Sequence, residues 1–175
     1  MKKLKKMLSN YNAPYIQSLM RLIETQSKET LGNWAMDYSE NILLPVWNKY
    51  YPEDNRPLNA LVAGRRWFLK EIKLPEAKKD ILLCHEAARE SDGNVIPQSI
   101  ARAIGQSAST IHSPRHCIGL VFYGALALAY EKVGTDLPWD EIEKAAEIEC
   151  KKMEDALRKV AVENEENPAK IIWHC

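Results

Sequence analysis

Glycine is scarce, with 7 residues in a chain of 175. A sequence poor in the residue that tight turns need, and rich in Ala, Leu, Glu and Lys, favours helix over sheet. Strand-like alternation of apolar and polar residues is absent throughout, which excludes a sheet with one buried face. Charge bias is absent too: 24 basic and 24 acidic side chains balance, so bulk charge does not hold this chain to nucleic acid directly. No apolar run reaches the roughly 18 residues of a membrane span. GxGxxG and P-loop motifs are missing, which disfavours the usual modes of nucleotide binding. Ser109, Thr110 and Ser113 lack the glycine frame of a nucleophile elbow. The cysteines, Cys84, Cys117, Cys150 and Cys175, include no CxxC pair, so a structural zinc site is not expected. Three of them fall on apolar helix faces, as reduced thiols do in a cytoplasmic protein. The basic start, Met1 to Leu8, lacks the apolar stretch of a signal peptide because Ser9-Asn10-Tyr11-Asn12 interrupts it.

What is present is helical periodicity. Residues 1–12 read as a basic N-terminal arm and residues 13–175 as one all-helical domain. Ile16, Leu19, Met20 and Ile23 form the stripe of a first helix opened by Pro14. Ser27 is placed to cap a second helix, whose stripe is Leu31, Trp34, Ala35, Tyr38 and Ile42. Pro45 should kink or split that helix before Val46, Trp47 and Tyr50. Asn55 is the expected cap of a third helix, with Leu58, Leu61, Val62, Trp67 and Phe68 buried. A fourth buries Ala77, Ile81, Cys84 and Ala88. A fifth carries Ile100, Ala103, Ile104, Ser107, Ala108 and Ile111, with Gly105 permitting close packing. The sixth, from about Ser113 to Tyr130, has no charge from Cys117 onward and should be buried on all sides. The seventh runs from Pro138 to about Val162, with Ile142, Ala146, Met153, Leu157 and Val160 inward. The fold class is therefore all-α, a single-domain bundle of about seven helices around a buried central helix. The apolar tail Ile171-Ile172-Trp173-His174-Cys175 should dock onto it.

Chemistry gathers at the entrance of the sixth helix. His112 and His116 are spaced as metal ligands often are, but Ser113-Pro114 between them should set the rings apart. The pair is open to three readings: structural histidines, a polar pocket, or, with His85 and a carboxylate, a metal site. Backbone N–H groups, Arg115 and His116 also suit an anion, with an internal carboxylate as the simplest occupant. Asp37 and Glu40 share one side of the second helix, where paired carboxylates act in acid–base work or remain solvated. Trp34, Trp47, Tyr50, Tyr51, Trp67 and Phe68 are core aromatics or, beside Arg65-Arg66, a partner hot spot. From Asp140 to Glu166 there are ten acidic and five basic residues, a face for a basic partner or for solvent.

Trp34-Ala35, Asp37, Glu40, Leu44-Pro45, Pro52, Asp54 and Arg56-Pro57 form a pattern that continues through Trp67, His85-Glu86-Ala87-Ala88-Arg89, Ala108, His112 and His116. In this order it resembles the immunity proteins of bacterial polymorphic toxin systems, immunity family five and its relatives, over roughly residues 31–130. Tyr38-Ser39 stands where the pattern often carries Cys-Ala, and Tyr51 where a histidine is common. The acidic last helix and the tail lie outside the likeness. The resemblance implies an all-helical, cytoplasmic, non-catalytic protein that binds and neutralises a cognate toxin, with Arg56 bracing the turn after the second helix. Many such toxins are nucleases with basic clefts, which the acidic face, including Glu143, Glu147, Glu154 and Asp155, would suit. No cofactor is expected. Two rivals stand beside this reading. One is a small metal-dependent or acid–base enzyme using His85, His112 and His116 with Asp37 or Glu40. The other is an oligomerisation module whose exposed aromatics meet a second copy as a homodimer.

Overall fold

Ser27 begins the second helix as its type predicts, its hydroxyl accepting the Thr30 backbone N–H at 3.2 Å. The computed structural model describes residues 3–173; His174 and Cys175, the end of the expected tail, lie outside the described residues. Seven helices and no strand are found among those described. They are α1 (Pro14–Ile23), α2 (28–50), α3 (Arg56–Phe68), α4 (Leu74–Glu90), α5 (Val95–Ser109), α6 (114–133) and α7 (Trp139–Val160).

α2 is neither split nor sharply ended by Pro45. A π turn, Ser39–Leu43, precedes the proline, and the Leu44 N–H donates to the Ser39 carbonyl. A proline ring removes one N–H and collides with the carbonyl four residues back; the widened turn absorbs both effects. It also advances the phase of the helix. Leu43 and Leu44 turn inward, while Ile42, expected on the buried stripe, is 42 % exposed. Val62 and Val160 likewise face solvent. Val62 lies a helical step off the Ala60–Leu61–Gly64 contact line, and Val160 is the last residue of α7.

The centre expected for the sixth helix is shared by two. α6 starts as a 3-10 turn, Pro114–His116, and contains a second π turn, Leu120–Ala125. Its body is buried almost throughout. α5 is buried along 11 of its 15 residues and lies against α2, α3, α4 and α6. The two π turns meet: a Cβ on Gly124 would stand 3.4 Å from Leu43 Cδ1 and 3.3 Å from Met153 Cε. α7 closes the other side, where the Trp34 indole donates to the Met153 carbonyl at 3.1 Å.

The described residues before α1 and after α7 both lie on this body. Residues 3–12 run along α5 and α6, with Leu8 buried and its N–H on the Phe122 carbonyl at 2.9 Å. The carbonyls of Lys5 and Lys6 accept from Tyr130 and Ser99. After α7 the chain crosses back to α2. Val162 N–H donates to the Gln26 side chain, and the Glu165 carboxylate accepts from the Ser27 backbone, the Ser27 hydroxyl and the Thr30 hydroxyl. Trp173 donates to Glu24 while Ile172 stays exposed.

Leu126→Ala in the fully buried part of α6 should cost about 2–5 kcal/mol in urea unfolding. Leu82→Ala on the exposed face of α4 should stay within about 0.5 kcal/mol.

Candidate functional site

The turn between α2 and α3 is held by one arginine. Trp47, buried in α2, donates its indole N–H to the Asp54 carbonyl at 2.8 Å. The Asp54 carboxylate then accepts the Arg56 backbone N–H at 3.1 Å and the Nε and Nη2 groups along one edge of the Arg56 guanidinium, at 3.0 and 2.7 Å. Asn55 holds the position expected of a cap, yet its side chain makes no capping bond; Asp54 does that work. The guanidinium reaches on to Glu90 at the end of α4, so it ties three helices together. The hydrogen bonds from Arg56 hold Asp54 below the usual carboxylate range, against the opposing effect of burial.

His112 and His116 are closer than the intervening Ser113-Pro114 suggested. Their ring centroids are 4.8 Å apart at 58°. The chain turns tightly here, with His112 N–H on the Ser109 carbonyl and His116 N–H on that of Ser113, which folds the second ring back over the first. His116 Nδ1 meets Gln106 Oε1 at 2.7 Å, and His85 Nδ1 meets an Arg102 N–H at 3.2 Å. The His85 ring lies on Gly105, where a Cβ would stand 2.6 Å from Cε1. Burial, then Arg102, Arg89 and His116, pushes His85 down to about 4. Burial, then His112 and Arg115, does the same to His116, to about 4. His112 is lowered by burial, Lys78 and Lys28. All three rings are therefore neutral at pH 7. Arg115 donates to the Ile172 carbonyl. With Gln106, His116, Tyr11 and Trp173 it lines a cavity of about 240 Å³.

Asp37 and Glu40 are not part of this cluster. Both pair with Arg65 of α3, at 2.9 and 2.6 Å. The residues of the enzyme reading thus fall into two groups, each with its own cationic or amide partners. Among the described residues, no three His, Cys, Asp or Glu side chains are arranged to hold a metal ion. Trp34 and Trp47 are buried, and Tyr50, Tyr51, Trp67 and Phe68 pack against the core.

The acidic face of α7 is smaller than its composition suggested. Glu154, expected on the partner surface, is 3 % exposed. It accepts from the Ser18 hydroxyl at 2.7 Å and pairs with Arg158. Glu149 is buried as well and takes Lys152 and Lys132. Both lie beside the Ala146–Cys150–Met153–Leu157 stripe, a position the helical period places inward; their charge masked that signal. Asp155 is paired with Lys151. Within residues 140–148 of α7, Asp140, Glu141, Glu143 and Glu147 stand with one basic residue, Lys144, and Lys5 of the N-terminal segment lies 3.7 Å over the ring of Trp139.

Arg56→Ala should lower stability by about 1.5–3 kcal/mol, since hydrogen bonds to a charged group are lost. The histidines give stability a pH dependence. In the unfolded chain they take protons below about 6.5, whereas folded His85 and His116 resist protonation down to about 4. Stability should therefore fall as pH drops from about 6.5 towards 4. Thermal unfolding at pH 7.5 and pH 5 should show this drop, and His85→Asn or His116→Asn should shrink it.

A comparison with protein families matches residues 21–156 to the family described as Imm-5 like putative immunity protein. No curated protein and no solved structure matches the chain. The match extends beyond the resemblance seen in the motifs at both ends, and takes in most of α7 as well as Arg56, the three histidines, Asp37 and Glu40. With most of its length inside that match, the chain belongs to the Imm-5-like immunity protein family.

Proposed function

We propose that this chain is a non-catalytic inhibitor that binds a toxin and so protects the cell that makes it. Membership of the immunity family over residues 21–156 carries the reading. The geometry supports it: Arg56, Asp37, Glu40 and His116 are each engaged by neighbouring side chains, as suits a scaffold more than a reactive centre. Arg56 and the histidines then serve as braces. The partner is a protein toxin met in the cytoplasm, with Glu143, Glu147 and Asp155 on the contact face; Glu154 anchors α7 from within. A nuclease, whose cleft must be basic to hold its substrate, suits the carboxylate-rich first half of α7. No helix among the described residues is long and apolar enough to cross a membrane.

The test is to read the genes on either side of this one and to co-express the chain with a polymorphic toxin encoded there. Growth should be restored, and the two proteins should purify as a stoichiometric complex with the toxin unmodified. Undiminished killing, or toxin that is chemically altered while no complex forms, would overturn inhibition by binding.

A further inference from the structure

Lys78, Leu82, His85 and Arg89 follow one another along α4 at steps that keep them on one side, within an arc of about 60°. That side borders α5. The His85 ring rests on Gly105, and Arg102 donates to His85 Nδ1 at 3.2 Å. One turn beyond Arg102, Gln106 meets His116, whose ring lies against that of His112. A single surface thus runs from Arg89 past His85 to the turn into α6. Between Lys78 and Arg89, Leu82 is 63 % exposed. The charge on this surface has one sign. Arg102 and Arg89 act on His85, Lys78 and Lys28 on His112, and Arg115 on His116, and each of them is a cation. Lys78, Arg89 and Arg102 have no carboxylate ion pair among the described residues. The acids nearby point elsewhere or are engaged. Asp80 and Glu76 fall on the far flank of α4 by helical phase. Glu90 feels Arg89 but pairs with Arg56, and Asp92 pairs with Lys6. Glu86 stands at the rim, about 100° round the helix from His85. Even with Lys28 and Arg115 set aside, the three unpaired cations outweigh that one carboxylate.

We propose that this α4–α6 face binds an acidic segment of a protein partner, with carboxylates on Lys78, Arg89 and Arg102 and one apolar side chain over Leu82. The assignment stands apart from the inhibitor reading, since none of these residues lies on α7. Charge complementarity selects the sign of the occupant. Leu82 selects its class: a phosphate backbone offers a branched apolar side chain nothing to bury against, whereas an acidic peptide with one apolar residue covers it and meets the cations around it. A two-fold contact between copies of this chain would set the same cations against one another. A head-to-tail contact, with α7 of one copy on this face of the next, does not close and would build chains of copies. The histidines couple this site to pH. In the free chain, burial and the surrounding cations keep His85 and His116 uncharged down to about 4. Carboxylates bound beside them favour the charged rings, so binding takes up protons and tightens as pH falls.

The experiment titrates the full chain with a helical peptide of glutamates around a single leucine, followed by NMR of the backbone amides and the histidine rings. Shifts should be confined to the α4–α6 face, and affinity should rise about threefold between pH 7.5 and pH 5.5. Lys78→Glu and Arg89→Glu should each weaken binding about tenfold at low salt, a difference that narrows as salt screens it. Leu82→Ala should weaken it about threefold with the salt dependence kept. Lys159→Glu on α7 should bind like wild type. A titration to millimolar peptide with no shift on this face overturns the site. So does an affinity that both charge reversals leave within about twofold of wild type while thermal unfolding shows them folded. A single-stranded oligonucleotide of equal charge that binds the face more tightly than the peptide gives it to nucleic acid and overturns the acidic-segment assignment. Self-association in sedimentation that Arg89→Glu abolishes gives the face to a second copy and overturns it as well.

Discussion

Three consecutive residues of α5 hold the bundle at its working distances. Gly105 leaves room for the His85 ring of α4, Gln106 lies over Gly119 of α6, and Ser107 accepts the Ser39 hydroxyl of α2 at 2.8 Å. Successive residues on a helix point about 100° apart, so these three address three different neighbours. At each the contact depends on a small residue: glycine on α5 itself, glycine on α6, serine on both sides at α2. A Cβ at Gly119 would fall 2.4 Å from Gln106 Cβ, closer than real side chains come. Wider spacing would separate the His85 and His116 environments from their partners and open the core to water.

Electrostatics follows the same economy of position. Charged groups that enter the interior arrive with partners. Glu149 and Glu154 are nearly inaccessible, and each has a cation, with Ser18 completing Glu154. No buried side-chain nitrogen or oxygen among the described residues lacks a hydrogen bond, as a stable interior requires. Burying two carboxylates on one helix redistributes the outer charge of α7. Its second half keeps paired lysines, while its first half keeps carboxylates. A chain with no net charge therefore presents a locally acidic surface.

Apolar spacing predicts most of this architecture. The stripes of α1, α4 and α5 lie where the helical period puts them, as does the Ser27 cap, because those features depend on local geometry alone. What depends on a partner was less legible. Pro45 signals a disturbance in α2, but a π turn instead of a break depends on what α6 presents across the contact. The approach of His112 to His116 depends on the tightness of the 109–113 turn. The pairing of Asp37 and Glu40 with Arg65 links residues of two helices, and only the packing of α2 on α3 brings them together. Glu154 is the clearest case. Its place beside a buried stripe pointed inward and its charge pointed outward, and the nearby Ser18 and Arg158 decided between them.

The bond between Glu165 and Ser27 spans 138 residues of chain. An acidic side chain from near the end supplies acceptors that the first turn of α2 cannot find within its own helix. During synthesis, α2 leaves the ribosome long before that carboxylate exists. The Ser27 N–H and the Ser27 and Thr30 hydroxyls find this acceptor only when the segment after α7 emerges and crosses back. The helix that carries Asp37, Glu40 and the Trp47 contact to Asp54 is thus completed last at its front end. The order in which the chain is made and the order in which this helix is finished run in opposite directions.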